Sequence, residues 1–466
     1  MVGAALSGKK YKAYPEYKNS GVEWLGKIPE HWYTVPLKHL AELNPKKSGL
    51  DKRKMSQQCN FVPMEKLKLN DLKLDETKLV SEVYDGYTYF ENGDVLIAKV
   101  TPCFENKNMA VARGLSNGVG FGSSEIYVLR AKPKLHNQFL FYRLQEDGFM
   151  DIATAAMSGA GGLKRVPAEI INTYTAAFPA YEEQQKIANF LDHETAKVDA
   201  LTTKQENLIE LLKEKRQAVI YHAVTRGLNA DVPMKCSGVE WLGNIPKHWG
   251  ISKLRFISSF GRGLSITKAN LKERGIPCVS YGEVHSKFGF EVDPAKHNLK
   301  FVDESYLVSS PDSLLSKGDF VFADTSEDID GSGNFTQLTS NEMVFAGYHT
   351  VVVRPFGDNY YRFLAYMFDS PAYRTQVRNG VKGVKVFSVT QAILKNTNVW
   401  LPPFDEQKEI ANELDQKTKN IDKLIAKQQE AILLMKERKT ALISAAVTGK
   451  IDVRNYDVES LGCVNG

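Results

Sequence analysis

Cysteine is scarce: five residues in 466 (Cys59, Cys103, Cys236, Cys278, Cys463), scattered, odd in number and never in C-x-x-C spacing. That excludes a disulfide framework and a cysteine-based zinc site, and it fits a reducing compartment. No apolar run approaches the roughly 18 residues needed to cross a bilayer, and no signal-peptide pattern opens the chain, so the expectation is a cytoplasmic protein without a membrane partner. Neither sign of charge is in large excess. A net charge of +5 permits a nucleic-acid partner only through local clustering of basic residues. Hydrophobic content of 43 % and charged content of 25 % are those of an ordinary globular chain, long enough for about two to four domains.

Catalytic signatures are missing as well. Leu401-Pro402-Pro403-Phe404 has the outline of the [NDS]-P-P-[FY] loop of adenine methyltransferases, but leucine cannot accept the hydrogen bond of a target amine, and Phe178-Pro179-Ala180-Tyr181 departs further. Asp328-Ile329-Asp330-Gly331-Ser332-Gly333 imitates the start of a calcium loop but reaches Thr339 where a bidentate carboxylate belongs, so it reads as a polar turn. Gly159-Ala160-Gly161-Gly162-Leu163-Lys164 lacks the G-K-[ST] ending of a phosphate loop. The nine histidines show no H-x-x-x-H or H-E-x-x-H spacing. The expectation is a chain with no catalytic residues, no cofactor and no metal of its own.

What is present is repetition. Ser20–Trp32 (SGVEWLGKIPEHW) returns as Ser237–Trp249 (SGVEWLGNIPKHW), with eleven of thirteen positions identical. Phe178–Thr225 returns as Leu401–Thr448, with 22 of 48 positions matching without a gap at an offset of 223. The segments between these landmarks share only scattered residues. Self-similarity of this kind governs the architecture: two like frames hold two unlike inserts.

The repeated tails read as long helices. Seven-residue spacing runs through Leu191, Val198, Gln205, Leu212 and Val219, with Ile187, Leu201 and Leu208 at the second seam position. The other copy gives Leu414, Ile421, Gln428, Met435 and Leu442, with Ile410, Leu424, Ala431 and Ala445. Such heptads predict a coiled coil, and the equivalent Gln205 and Gln428 are polar seam residues of the kind that fixes register. The inserts carry strand patterns at Gly93–Ala98, Ser124–Leu129, Gly318–Ala323 and His349–Val353, and one amphipathic helix each near Asn137–Met157 and Asn359–Val377. The fold class is therefore α+β, two mixed α/β domains joined and spaced by two long antiparallel coiled-coil helices with pseudo-two-fold symmetry.

Tandem halves that each open with I-P-x-H-W (Ile28–Trp32, Ile245–Trp249) and close with E-Q-x-x-I-A (Glu183–Ala188, Glu406–Ala411) on a heptad helix resemble the specificity (S) subunits of type I restriction–modification systems. The resemblance implies that each insert is a target recognition domain reading half of an asymmetric, interrupted site in double-stranded DNA. It also implies that the helices serve as spacer and as platform for two methyltransferase (M) subunits, which restriction (R) subunits then join. On that reading the chain divides into 1–32 (N-terminal segment with the first frame repeat), 33–178 (first recognition domain), 179–226 (first helix), 227–236 (linker), 237–400 (second frame repeat and recognition domain), 401–449 (second helix) and 450–466 (tail). The competing reading is a coiled-coil scaffold whose inserts bind protein.

Candidate DNA contacts follow from residue type. Gly159-x-x-Gly162-x-Lys164 and Gly380-x-x-Gly383-x-Lys385 share spacing at an offset of 221, with Arg165 and Lys382 enlarging the basic patch. Glycines admit a phosphate close to the backbone and lysine adds charge. For base reading, Lys99, Thr101, Asn106, Lys107, Asn108 and Arg113 cluster after a strand in the first insert. The matching region of the second insert holds Asp324, Thr325, Ser326, Asn334 and Gln337, which is acidic and would favour cytosine amines. The four tryptophans of the repeats (Trp24, Trp32, Trp241, Trp249) belong to what both halves share, and so read as core or subunit interface rather than as base-stacking platforms.

Overall fold

Val95-Leu96-Ile97-Ala98 and Phe320-Val321-Phe322-Ala323 are apolar at every position, which a strand tolerates only when both its faces are covered. In the computed structural model, which describes residues 11–383 and 386–456, both are central strands. Val95 and Ile97 face one core, shared with Leu140 and Phe178, whereas Leu96 and Ala98 face another, with Val62 and Phe90. Phe320 and Phe322 against Val321 and Ala323 divide in the same way. The aspartate of each Gly-Asp turn secures the strand's start: Asp94 accepts from Glu91 N at 2.8 Å and from Arg130, and Asp319 from Ser316 N at 2.8 Å and from Arg354.

The chain divides into two compact units. The first comprises Met1–Glu206 with Glu430–Gly466, the second Asn207–Gln429. Each holds one mixed domain, and the two share a strand order to which the second adds one strand, Phe290–Val292, paired parallel to Phe335–Leu338. In the first, an antiparallel sheet runs in the order Met109–Val111, Val95–Ala98, Ile126–Ala131, Ala41–Leu43. A second sheet, containing one parallel pair (Gln58–Val62 with Val119–Gly122), covers it. The other unit has Ser258–Arg262, Thr350–Pro355, Phe320–Ala323, Phe335–Leu338 and Phe290–Val292, and again a second sheet with one parallel pair, Ile276–Val279 with Val344–Ala346. Where one amphipathic helix per insert was expected, there are two. Asn137–Arg143 and Asp147–Ala155 break at Glu146, whose side chain caps Phe149 N. Tyr361–Asp369 and Pro371–Gly380 break at Ser370, which caps Tyr373 N ahead of a proline that cannot continue the preceding turn.

A two-stranded ribbon closes each domain, Tyr33–Pro36 with Thr175–Phe178 and Gly250–Lys253 with Asn398–Leu401, and leads through proline into a long helix, Tyr181–Arg226 or Phe404–Val447. Within each unit the start of one helix packs against the end of the other, an antiparallel pairing. Leu191 shares a core with Leu442, and Ile220 with Leu414. Lys439 reaches Asp199 at 2.6 Å, and the repeat-equivalent Arg216 reaches Asp422 at 3.0 Å.

Three positions of the expected seam need correction, while Ile187, Ile410, Ala431 and Ala445 are buried or half-buried as expected. Leu191, Val198, Gln205, Leu212 and Val219, like Leu414, Ile421, Gln428, Met435 and Leu442, are buried or half-buried, but Leu201, Leu208 and Leu424 are exposed. A seam advances by alternate steps of four and three residues. From Val198 the step of four lands on Thr202, then Gln205, Ile209 and Leu212, and in the other helix Ile425 takes the place given to Leu424. Each displaced leucine lies one residue off, about 100° around the helix.

Candidate nucleic-acid interface

The repeated motifs prove to be each other's contacts. Glu183, in the first turn of its helix, accepts from Trp32 Nε1 at 3.0 Å and meets His31 Nε2 at 2.8 Å; Glu406 does the same with Trp249 Nε1 at 3.1 Å and His248 Nε2 at 2.7 Å. The following glutamine locks the elbow. Gln184 donates to Pro179 O and accepts from His136 N, while Gln407 donates to Pro402 O and accepts from Tyr360 N. About two turns beyond, Tyr142 donates to Asp192 and Tyr366 to Asp415, each phenol also meeting a threonine, and burial pushes both phenols well above their usual pKa. Trp32 and Trp249 are wholly buried; Trp24 and Trp241 are partly exposed, Trp24 stacking on Tyr174. These junctions give each domain one fixed seating on its own helix.

Beyond the helix pair of the first domain the chain presents an exposed hairpin, and Lys382 and Gly383 are exposed at the matching place in the second. In the first, Ser158–Ala160 pairs with Leu163–Arg165, and the turn at Gly161-Gly162 has positive φ at both residues, as a two-residue hairpin requires. Thr101 holds it: Thr101 N donates to Lys164 O, Lys164 N donates to Thr101 Oγ1, and that hydroxyl donates to Gly162 O, all at 3.0 Å. Arg165 lies across Glu125 with two bonds of 2.9 and 3.0 Å, and Lys99 sits 5.3 Å from the Tyr127 ring centre. Arg165 and then Lys99 hold the Glu125 carboxyl below the usual carboxylate range. The structure thus brings together Lys99, Thr101, Gly162, Lys164 and Arg165, and adds Glu125.

Other candidates lie elsewhere or are spoken for. Lys107 Nζ bonds to Gln145 O at 2.7 Å, Arg113 is held by Gln138 at 2.9 Å, and Asn106 is exposed. Asn108 is buried, its backbone completing the sheet through Ala98 N, and so cannot reach a groove. In the second domain Asn334 is committed to His285 and Arg374, Ser326 is buried with its hydroxyl on Asp328 O, and Gln337 is an interior strand residue bonded to Tyr361 O. Thr325 is half-buried, and Lys382 is exposed. Lys385 falls outside the described residues. The Asp328–Gly333 turn is closed by Asp328 Oδ1 accepting from Gly331 N, and among the described residues no cluster of three metal-ligating side chains exists.

The glycine pairing needs a correction. Gly159, not Gly162, is the counterpart of Gly383: their φ values are +155° and +151°, and a Cβ at either would meet a cross-strand carbonyl oxygen (Leu163 O at 2.2 Å, Val386 O at 2.0 Å). The second hairpin is one residue shorter, since Ser158 faces Arg165 whereas Lys382 faces Ser388. Spacing alone aligned the wrong glycines because the requirement comes from the opposite strand. Gly159→Ala is accordingly expected to spread the hairpin, and limited proteolysis between 158 and 165 should accelerate at least several-fold with global melting unchanged; an unaltered cleavage rate would contradict this role.

The helices also carry outward-facing leucines. Leu201 and its repeat-equivalent Leu424 are 47 % and 46 % exposed, and Leu211 and Leu434 are 60 % and 57 % exposed. Each unit therefore bears the same outward leucines on its helix pair, a signal hidden in the heptad because Leu201 and Leu424 pass for seam residues. Among the described residues no helix is long and apolar enough to cross a membrane.

Comparison with known proteins agrees with this architecture. The model of the type I restriction modification DNA specificity domain matches twice, over residues 29–211 and 246–434. The specificity subunit of the Escherichia coli type I restriction enzyme EcoAI is 35 % identical over 185 residues, 38 % of this chain and 30 % of the relative's length. The chain thus spans less than a third of that relative. Among solved structures, a chain from work on complex assembly and conformational transition of the type I R-M system superposes with a TM-score of 0.67 at 17 % identity, covering 91 % of this chain and 99 % of its own. The HsdS subunit of Thermoanaerobacter tengcongensis gives a TM-score of 0.53 at 17 % identity, with 91 % and 98 % covered.

Proposed function

The chain belongs to the type I restriction–modification DNA specificity family, and we propose that it supplies the sequence recognition of such a complex without catalysing a reaction itself. The observation that carries this reading is that one junction, Glu-His-Trp with its glutamine elbow, seats two domains whose edge loops differ. A fixed seating with variable edges is what reading two different half-sites requires, since phosphate contacts position a protein while side chains at groove edges specify bases. Lys164, Arg165 and Lys382 on the exposed hairpins supply positive charge for that approach. The long helices set the spacer between half-sites, and the twice-presented leucine faces seat two copies of one partner, the M subunits, which R subunits join in the cytoplasm.

The test is the methylation pattern of cells carrying the complete system. Methylated sites should collapse onto one asymmetric interrupted sequence, whereas the purified chain alone should incorporate no label from a methyl donor. Four residues inserted after Lys204 should lengthen the spacer by about one to two base pairs, from 1.5 Å per helical residue and 3.4 Å per base step, with both half-sites unchanged. A protein-binding scaffold would show no preferred sequence in any of these experiments.

A further inference from the structure

β-pairing places unlike chemistry at equivalent positions of the two domains. Val166 N donates to Lys99 O at 2.9 Å, and Val389 N to Asp324 O at 2.8 Å; Lys99 N donates to Glu125 O, and Asp324 N to His349 O. Val100 faces Arg165 and Thr325 faces Ser388. Lys99, Glu125 and Arg165 therefore correspond to Asp324, His349 and Ser388. The backbone framework is the same, yet the chemistry differs: cation–carboxylate–cation in one domain, carboxylate–imidazole–hydroxyl in the other.

Both clusters are accessible and pre-set. Glu125 engages the Nε and Nη2 edge of Arg165, which leaves the outward edge of Nη1 and Nη2 as a two-donor fork, the shape that matches guanine O6 and N7. In the second domain Asp324 Oδ1 meets His349 Nδ1 at 3.3 Å and accepts from Thr325 Oγ1 at 2.7 Å; among the described residues Oδ2 takes no hydrogen bond. A carboxylate so disposed accepts from an exocyclic base amine. His349 holds a left-handed backbone conformation (φ 55°), which histidine adopts more readily than most residues, and its side chain is largely exposed. It stands with Asp324, Arg262 and Gln391 on a cleft of about 550 Å³ at the domain edge.

We propose that these are base-reading clusters: Arg165, positioned by Glu125, reads a guanine in one half-site, and Asp324 with His349 reads the amine of a cytosine or adenine at the corresponding place in the other. This inference rests on the proposed DNA-recognition function, and it assigns one base-reading group to each half-site.

The experiment uses the assembled complex with its M subunits on a DNA library randomised at both half-sites, read by sequencing the methylated products. Arg165→Ala should lower preference for guanine at one position of one half-site by about ten- to a hundred-fold, leaving the other half-site intact. Glu125→Ala should relax that same position and no other, and Glu125→Asp should restore part of the preference, which a merely structural role would not do. Asp324→Asn and His349→Ala should each relax one position of the other half-site only. The paired exchange Asp324→Lys with His349→Glu should turn that position away from a base amine towards an acceptor-bearing base. The untouched half-site and the melting temperature report folding in every variant. Unchanged preferences in all variants, or a uniform loss of methylation across all sequences, would overturn the assignment, the latter marking phosphate contacts. If the unmodified complex itself shows no bipartite preference, the recognition function fails, an outcome visible before any variant is read.

Discussion

Trp32→Ala is expected to destabilise the first unit by about 3–5 kcal/mol, the usual penalty for emptying a large buried aromatic site. The side chain is wholly buried among Ile28, Phe178 and Ala446, and its Nε1–H satisfies a glutamate that also takes the Tyr14 hydroxyl at 2.7 Å. Trp249→Ala should do the same to the second unit. Trp32→Phe, which keeps most of the volume and loses one hydrogen bond to a charged acceptor, should cost roughly 1.5–3 kcal/mol. Denaturant unfolding followed by hydrogen exchange resolves the units. Each tryptophan should lower protection in its own unit, and equal loss in both from one substitution would contradict independent junctions.

Leu211→Asp combined with Leu434→Asp is expected to abolish assembly with M subunits while leaving the chain folded. Burying one leucine contributes about 1.5–3 kcal/mol, so losing one per docking face weakens each by roughly ten- to a hundred-fold, and a buried unpaired carboxylate adds to that. Both side chains are more than half exposed in the free chain, so helicity and melting should barely move. Size-exclusion chromatography or calorimetry with purified M subunit provides the readout. Leu211→Asp alone should leave one M subunit bound, and unchanged binding in the double variant would place the docking face elsewhere.

The frame was legible because its contacts are duplicated along with its residues: Glu183 and Trp32 recur together as Glu406 and Trp249, so the repeat marked both partners of one interaction. The central strands were legible because burial on both faces leaves no polar position. The helix seam was legible except at three leucines. Thr202 and Leu201 differ by one residue, and hydrophobicity favours the leucine, although the pairing selects the threonine. The interface was least legible. Glu125 lies far in sequence from Lys99 and Arg165 and joins them only through sheet pairing, and His349 stands just ahead of its strand, where nothing local marks it. Asn108 and Asn334 have the composition of groove readers, but a polar segment after a strand can equally supply the sheet with interior hydrogen bonds, and here it does.

The division of the chain also orders its synthesis. The second unit is one continuous stretch, Asn207–Gln429, whereas the first needs Glu430 onward to complete it. Leu442, Ile443 and Val447 fill the same core as Ile187, Phe190 and Leu191, and Asp452 N closes on Lys12 O at 2.7 Å. Domains as a rule mature on the ribosome in the order they are encoded. Here the domain made first waits for the last helix, holding apolar surface open while the later one finishes. The nascent first unit is therefore the stage most exposed to aggregation.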